Sequence, residues 1–335
     1  MTYAYFPGCS MRGTGRAYEE SLLAVFEAVG ANLEELEDWN CCGASAWSSV
    51  DRTQAVALSA RNLAIAERGA VDGAPVDLMA PCAGCYRALL KTQHAFEERG
   101  AVADKVDAAL ATVGLRYDRT VRVRHPIDVL ISDVGLERVA EAVTRPLEGV
   151  KVACYYGCLL VRPNAPFDDP HDPTSMDRLI RAAGAEPIDW PLKTRCCGAS
   201  CYSSSPFGPV QEATLELSYQ ILRDAKHRGA DAIATACPLC QFNLEGFQPR
   251  MARAFGERID LTVGFITQFL GLAMGVDERR LGIRRMMRWH LPERGAEPTP
   301  VGAKKSTAAE PAADSMSAAD AEAEEARPAR RRKTA

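Results

Sequence analysis

No stretch of about 18 consecutive apolar residues occurs in the sequence, although an α-helix needs roughly that length to cross a bilayer. The best candidate, residues 261–276, is interrupted by glycine, threonine and glutamine. The first residues, MTYAYFPGC, lack both the basic flank and the apolar segment of a secretory signal peptide. We therefore expect a cytoplasmic protein with no membrane span.

An excess of positive charge is also missing. The chain has 40 Lys and Arg residues against 44 Asp and Glu residues, and its formal net charge is -4. Because a surface that binds nucleic acid usually needs a basic excess, we expect no nucleic acid partner. The content of 47% hydrophobic and 25% charged residues is typical of a soluble globular protein.

Two kinds of cofactor motif are absent as well. The sequence has no CxxCxxCxxxCP run, which ferredoxins use to hold cubane clusters, and no GxGxxG or P-loop motif after a strand. It therefore predicts neither a relay of cubane clusters nor a recognisable dinucleotide site.

Cysteine, in contrast, is abundant, with 12 residues. Thiol buffers keep cysteine pairs reduced in the cytoplasm, so a disulfide framework is not expected there. We interpret the cysteines as ligands of metal ions or clusters.

The cysteines belong to an internal repeat, because the letters CCGAS occur at residues 41–45 and again at 196–200. Each half of the chain contains a Gly-Cys step, a Cys-Cys-Gly step and a CxxC pair. The first gap is 31 residues in one half and 37 in the other, and the second gap is 39 residues in both. The aligned cysteines are Cys9, Cys41, Cys42, Cys82 and Cys85 in the first half and Cys158, Cys196, Cys197, Cys237 and Cys240 in the second.

The hydrophobic pattern predicts alternating strands and helices. Short apolar runs at residues 121–124, 150–153 and 232–235 indicate buried parallel strands. Longer amphipathic segments, each followed by glycine, indicate helices at residues 17–29, 53–68, 176–183 and 210–228. We expect an α/β fold of two pseudo-symmetric repeats, each a small, mostly parallel sheet flanked by helices, with the cysteines where strands end.

Three regions are predicted along the chain. Residues 1–146 and 147–291 form one cluster-binding domain each, and residues 292–335 form a disordered tail because they are rich in Ala, Glu, Pro and Arg. The basic residues 330–333 have two interpretations, a localisation or nucleic-acid patch and a solvated tail beside an acidic stretch.

The chemistry of five cysteines in one half separates three kinds of site. Structural zinc usually takes two CxxC pairs, and the adjacent Cys41 and Cys42 are poor zinc ligands because their side chains diverge. A thioredoxin-like dithiol needs a single CxxC and leaves three cysteines without a role. Thiolates from several loops suit a polynuclear iron–sulfur cluster, since each iron must be reached from a different segment. The sequence favours the cluster, with zinc and the dithiol as alternatives.

Gly-Cys, Cys-Cys-Gly and CxxC at these distances, written twice, resemble the cysteine-rich CCG domain family. Over nearly all of the chain before the tail, the sequence is most similar to the B subunit of heterodisulfide reductase. The resemblance implies two noncubane [4Fe-4S] clusters, one in each half. It assigns as ligands the ten aligned cysteines: Cys9, Cys41, Cys42, Cys82, Cys85, Cys158, Cys196, Cys197, Cys237 and Cys240.

Two cysteines remain outside the repeat. Cys158 aligns with Cys9 because each follows a glycine, so Cys154 is interpreted as a small buried side chain. Cys201 is either a redox-active thiol near the second cluster or a structural cysteine.

The resemblance also implies a reaction, in which a disulfide lies between the two clusters and is cleaved. Related complexes that oxidise sulfur act on a lipoyl or persulfide sulfur in the reverse direction. A proton donor is then needed, and His125 is the candidate, with a capping or core role as the alternative. Arg12 and Arg162 follow the two Gly-Cys steps and are candidates to bind an anionic thiol substrate, or else are surface arginines.

Partners follow from the same resemblance. It implies a ferredoxin-like C subunit that supplies electrons, within a complex that has a flavin-containing A subunit. The alternative function is an electron-transfer subunit of a lactate, glycolate or succinate dehydrogenase complex, without disulfide chemistry.

Overall fold

The protein is described by a computed structural model, which covers residues 1–44, 47–70, 74–162, 166–199 and 212–292. The two halves of the chain pack together within one compact unit. No helix in these ranges is both long enough and apolar enough to span a membrane.

The first half alternates strands and helices. Its elements are β1 (Thr2–Tyr5), α1 (Gly8–Met11), α2 (Arg16–Ala28), β2 (Asn32–Glu35), α3 (Trp47–Val50), α4 (Arg52–Arg68), β3 (Val76–Met79), α5 (Ala83–Glu97), α6 (Ala101–Thr112), β4 (Val121–Arg124), α7 (Pro126–Val129), a π-helical turn (Leu130–Val134) and α8 (Leu136–Glu141).

The second half repeats the pattern. Its elements are β5 (Lys151–Tyr155), α9 (Ser175–Ala182), β6 (Glu186–Pro187), α10 (Glu212–His227), β7 (Ala232–Thr235), α11 (Pro238–Gly246), α12 (Gln248–Phe255), β8 (Thr262–Phe265), α13 (Ile266–Ala273) and a 3₁₀ turn (Ile283–Arg285).

Each half forms a four-stranded parallel sheet, with the strand orders β2-β1-β3-β4 and β6-β5-β7-β8. In the first sheet Thr2 lies opposite Asn32, and in the second Val152 lies opposite Ala232. The predicted α/β fold with two repeats is confirmed, and the sheets are entirely parallel. The predicted strands at 121–124 and 232–235 are confirmed without shift, whereas the third is Lys151–Tyr155.

Buried strands and one-sided helices explain this arrangement. Strands β7 and β8 are buried at every residue, as parallel strands covered by helices on both faces must be. Helix α2 buries the stripe Tyr18, Leu22, Val25 and Phe26. Two residues after its end, Gly30 has a left-handed φ of 70°, which lets the N–H of Ala31 turn back to the carbonyl of Phe26 at 2.8 Å.

The two halves meet through contacts of α2 with α13 and of α8 with α9. The rings of Tyr18 and Phe265 stack with centroids 4.6 Å apart. One turn later, the hydroxyls of Ser21 and Thr267 lie 2.6 Å apart. At the rim of this contact Arg285 pairs with Glu20 at 2.7 Å.

The predicted domain boundary at residues 146 and 147 lies between the last strand of the first sheet and the first strand of the second. The exact limits of the domains stay a prediction. The predicted disordered tail falls, except for residue 292, outside the described residues.

Candidate metal centres

The cysteines of the first half come from three loops at one edge of its sheet. Cys9 follows β1, the pair Cys41 and Cys42 follows β2, and the CxxC pair, Cys82 and Cys85, follows β3. Parallel strands present their carboxyl ends at one edge, so the three loops are brought together there. Among the described residues no cysteine is in a disulfide.

Sulfur contacts link these five residues, which we call the first cysteine set. The Sγ atoms of Cys42 and Cys85 are 3.2 Å apart. The thiols of Cys9 and Cys41 are hydrogen-bonded, as are those of Cys82 and Cys85. The repeat therefore brings together all five predicted ligands of the first half.

Cys82 has the electrostatics of a thiolate. Cys82 precedes the first turn of α5, and the Cys85 thiol and the backbone N–H groups of Cys85 and Gly84 favour a negative charge on its sulfur. These donors outweigh the effect of burial and lower the pKa of Cys82 to about 6. A helix N-terminus commonly lowers a thiol pKa in this way, and thiolates are the form that binds metal.

Gly8 lets the backbone approach this set closely. Its φ is +69°, a left-handed value that favours glycine. A Cβ atom at this position would lie 2.8 Å from the Sγ of Cys85, which is closer than real Cβ contacts allow. The glycine of the Gly-Cys step is therefore required by the space around the sulfurs.

The second half repeats this geometry in a second cysteine set. Cys197 and Cys240 have their Sγ atoms 3.5 Å apart, and the thiol of Cys196 is hydrogen-bonded to Cys158. Gly157 has a φ of +67°, and a Cβ there would lie 3.2 Å from the Sγ of Cys240. The members of the second set are Cys158, Cys196, Cys197, Cys237 and Cys240.

Exposure divides both sets in the same way. Cys9 and Cys41 are exposed in the first set, and Cys158 and Cys196 are partly exposed in the second. The remaining members are buried: Cys42, Cys82, Cys85, Cys197, Cys237 and Cys240. Each set thus has one face toward solvent, formed by the Gly-Cys cysteine and the first cysteine of the pair.

Buried serines hold the paired-cysteine loops from behind. The Ser59 hydroxyl of α4 donates to the carbonyl of Cys42 at 2.6 Å, and the Ser218 hydroxyl of α10 donates to the carbonyl of Cys197 at 2.9 Å. The Cys197 carbonyl also accepts from the amide of Asn243 at 2.8 Å. Side chains on the helices behind the two loops therefore hold both Cys-Cys pairs in position.

Because Asn243 gives the Cys197 carbonyl a second donor, we expect two matched serine substitutions to have unequal effects on stability. Ser59→Ala removes a buried bond to the Cys42 carbonyl, and we expect a loss of about 1–3 kcal/mol in the free energy of unfolding. Ser218→Ala is expected to cost less, because Asn243 still donates to the Cys197 carbonyl. Urea unfolding followed by circular dichroism measures both losses. Equal losses would contradict the supporting role given to Asn243.

The two sets approach each other across the junction of the halves. A Cβ on Gly15, which follows Cys9, would lie 3.1 Å from Pro238 of the second CxxC, and one on Gly84 of the first CxxC would lie 3.8 Å from Leu159. A small pocket opens at the second set, and its wall includes Ala83 from the first half. The CxxC segment of each half therefore contacts a residue of the other half.

The sulfurs do not surround the position of a single ion. Within the described part of the chain, no group of three or more Cys, His, Asp or Glu side chains has the arrangement of a site for one metal ion.

His125, the predicted proton donor, lies after β4 and is completely buried. Its Nδ1 accepts from the backbone N–H of Ile127 at 3.3 Å, so the ring caps α7, and its Nε2 lies 3.1 Å from the carbonyl of Pro81. Burial lowers the pKa of His125 to about 3, so the ring is neutral at pH 7. These contacts favour the capping alternative over the acid role, which stays a prediction.

The two predicted substrate arginines have different surroundings. Arg12 lies between carboxylates, with Glu19 at 3.4 Å and Glu35 in direct contact, so its charge is compensated. Arg162 donates to the hydroxyl of Thr194 at 3.2 Å, and its backbone N–H bonds the carbonyl of Cys158 at 3.0 Å. In the described ranges no carboxylate lies within ion-pair distance of Arg162, which makes it the better placed of the two.

Cys154 is separate from the second set. It is fully buried in β5, and its pKa is raised by burial and by the neighbouring Asp177, whereas the groups that act on Cys158 are Cys196, Cys197 and Cys237. These surroundings agree with its interpretation as a core side chain. Cys201 lies outside the described residues.

Tyr18, which no sequence motif singled out, lies between the cysteine sets. Burial raises the pKa of its phenol, and electrostatic interaction with Cys82 and Cys237, one from each half, raises it further. A tyrosine in the apolar stripe of an amphipathic helix has the pattern of a core residue, so nothing in the sequence indicated another role.

Comparisons with known proteins agree with the repeat. The family model described as the cysteine-rich CCG domain matches twice, at residues 3–90 and 152–245. A crystal structure of a hypothetical protein from Helicobacter pylori superposes with a TM-score of 0.62 at 15% identity. This match covers 85% of the chain and 51% of the other protein, and it shows a shared fold.

Relatives of known name extend over most of the chain. The membrane anchor subunit of the 8-methylmenaquinol:fumarate reductase of Wolinella succinogenes is 30% identical, covering 84% of the chain and 95% of the relative. A protein of Archaeoglobus profundus that is named as similar to the heterodisulfide reductase B subunit is also 30% identical, with coverages of 83% and 92%. The B subunit of the ferredoxin/F(420)H(2)-dependent CoB-CoM heterodisulfide reductase of Methanosarcina acetivorans is 29% identical, with coverages of 84% and 91%. The chain therefore belongs to the family of proteins with two cysteine-rich CCG domains that includes the B subunit of heterodisulfide reductase.

Proposed function

We propose that the chain is the catalytic iron–sulfur subunit of a heterodisulfide-reductase-like complex. It binds two noncubane [4Fe-4S] clusters and cleaves, or in reverse forms, a disulfide or a lipoyl or persulfide sulfur bond held between them. The observation that carries the proposal is the pair of equivalent five-cysteine sets on the two sides of one junction.

The residues present fit such clusters. Each set offers five thiols from three loops, more than one tetrahedral zinc ion uses. Gly8 and Gly157 leave room beside Cys85 and Cys240 that a Cβ would fill. The proposed ligands are the two cysteine sets defined above.

A bound iron–sulfur cluster supplies electrons one at a time, whereas the cleavage of a disulfide needs two. In this proposal, one cysteine set lies on each side of the substrate. The buried CxxC pairs keep water from the inner face of each set, and the exposed cysteines mark the open face. A substrate sulfur therefore approaches past Cys9 and Cys41 on one side and Cys158 and Cys196 on the other.

Arg162 is the substrate-binding residue that the contacts support best. It extends from the turn after Cys158 beside the open face of the second set, and Thr194 orients its guanidinium. A guanidinium there attracts the carboxylate or phosphate of an anionic thiol.

The proposal includes partners and a location. A ferredoxin-like C subunit supplies electrons, a flavin-containing A subunit completes the complex, and the complex works in the cytoplasm. The support is that the relatives from Archaeoglobus and Methanosarcina are named as B subunits of heterodisulfide reductase or as proteins similar to them.

The relative from Wolinella favours a second candidate function. That protein is named as a subunit of a fumarate reductase, and it is 30% identical over most of its length. In this alternative, the chain passes electrons for a dehydrogenase of the succinate, lactate or glycolate type and performs no disulfide chemistry.

The first test is the content of iron, acid-labile sulfide and zinc per chain in anaerobically purified protein. We expect about eight irons and about eight sulfides, as two four-iron clusters require. About two zinc ions without sulfide would instead make the repeat a structural zinc scaffold and refute the proposed chemistry.

The second test separates the two redox functions. The reduced protein is mixed anaerobically with CoB-CoM heterodisulfide, with an oxidised lipoyl peptide or with fumarate as a control, and cluster absorbance is followed. Reoxidation by either sulfur substrate supports the first function. Reduced clusters that neither sulfur substrate reoxidises would favour the electron-transfer alternative.

A further inference from the structure

Tyr18 occupies the junction between the two halves. It lies on α2 with 0% of its surface exposed, and its ring stacks on Phe265 of the second half at an interplanar angle of 3°. The ring is thus fixed by contacts from both halves of the chain.

The hydroxyl of Tyr18 is buried without a hydrogen-bond partner in the described structure. A buried O–H group that loses its bond to water and gains no other costs free energy, so such groups in native proteins call for an explanation. Other buried tyrosines at this edge are satisfied: Tyr5 donates to Glu19 at 3.3 Å, and Tyr155 donates to the carbonyl of Arg195 at 2.6 Å.

The surroundings show what this hydroxyl lies near. The charges that act on Tyr18 are those of Cys82 and Cys237, which are the N-cap residues of α5 and α11. Gly15, three residues before Tyr18, packs against Pro238 beside Cys237, and Ser10 contacts the sulfur of Cys82 at 3.9 Å. Tyr18 therefore lies between the inner ends of the two cysteine sets.

We propose that the Tyr18 hydroxyl donates a hydrogen bond to a sulfur atom of a cluster held at this junction and so raises its reduction potential. This inference rests on the proposed function, since it needs the clusters. A donor to sulfur stabilises the more negative, reduced state of a cluster, and hydrogen bonds to sulfur are among the factors that set cluster potentials.

Among the described residues, the equivalent helix of the second half does not supply this donor. Helix α9, which follows β5 as α2 follows β1, has the sequence SMDRLIRA and contains no tyrosine. Tyr18 therefore makes the two centres unequal.

The test is Tyr18→Phe in the cluster-loaded full chain, which keeps the ring stacked on Phe265 and removes only the hydroxyl. We expect the iron and sulfide content of the parent protein and a lower reduction potential for at least one cluster, measured by a redox titration followed by electron paramagnetic resonance. The matched control is Tyr117→Phe. Tyr117 is also buried against an aromatic ring, that of Phe96, and accepts from Gln93 at 3.3 Å.

A second variant is expected to shift the reduction potential in the opposite direction. Incorporation of 3-fluorotyrosine at position 18 gives a more acidic phenol, which is a stronger donor and should raise the same potential. It also decides the matter if Tyr18→Phe loses iron. Unchanged potentials in variants that retain full iron would overturn the inference. A parent protein that holds clusters but does not react with disulfides would refute the proposed function and leave the Tyr18 effect measurable.

Discussion

Cys158→Ala is expected to remove about half of the iron and sulfide from the purified protein, because one of the two proposed clusters would lose a thiolate ligand. Cys158 is hydrogen-bonded to Cys196, and the charges of Cys197 and Cys237 act on it. It also forms the open face of the second set. No other cysteine of the second half follows a glycine in the sequence.

Cys154→Ala is the matched control and is expected to leave iron and sulfide unchanged. Cys154 lies only four residues earlier, but its sulfur is buried in β5 near Asp177 and Lys193. The loss of its sulfur costs a modest amount of core packing. The parent protein and both variants are assayed together for iron, sulfide and folded secondary structure. Equal losses of iron in the two variants would mean that the halves are aligned wrongly at this step.

Gly8→Ala is expected to have a comparable effect on the first centre. The added Cβ would lie 2.8 Å from the sulfur of Cys85, and alanine is strained at a φ of +69°. The backbone must then move away from the sulfurs. We expect the loss of about half of the iron and a decrease of about 1–3 kcal/mol in the free energy of unfolding.

Gly13→Ala is the control for this change, since it adds the same methyl group in the same loop. The nearest atoms to its Cβ would be 3.9 Å away, an ordinary contact distance. Iron analysis and chemical unfolding of both variants distinguish a local effect at the sulfurs from general damage to the loop. Full iron in Gly8→Ala would show that this glycine is not needed for the centre.

The sequence predicted the features that repeat or that follow a simple period. Two CCGAS motifs with equal following gaps predicted two equivalent halves, and apolar runs such as residues 232–235 predicted strands to the residue. Because parallel strands end at one edge, the cysteines after them were expected to meet, and the two sets do so. These predictions depend on local pattern and on topology, which a single sequence records.

The surroundings of individual polar side chains could not be predicted in this way. Histidine is a residue type that can donate a proton near pH 7, but the complete burial of His125 and its bond to Ile127 favour the capping alternative. Arg12 follows Cys9 as Arg162 follows Cys158, yet Glu35, which is distant in sequence, compensates only Arg12. Such differences depend on which side chains the folded chain brings near, and spacing in the sequence does not encode that.

The unequal helices α2 and α9 have an evolutionary consequence. A dimer of identical subunits would carry the same side chain at both equivalent positions, so every mutation would alter both centres together. The fusion of two copies in one chain removes that constraint, and here one copy has Tyr18 whereas the other has none in α9. Selection can therefore alter the surroundings of one cysteine set while leaving those of the other as they were.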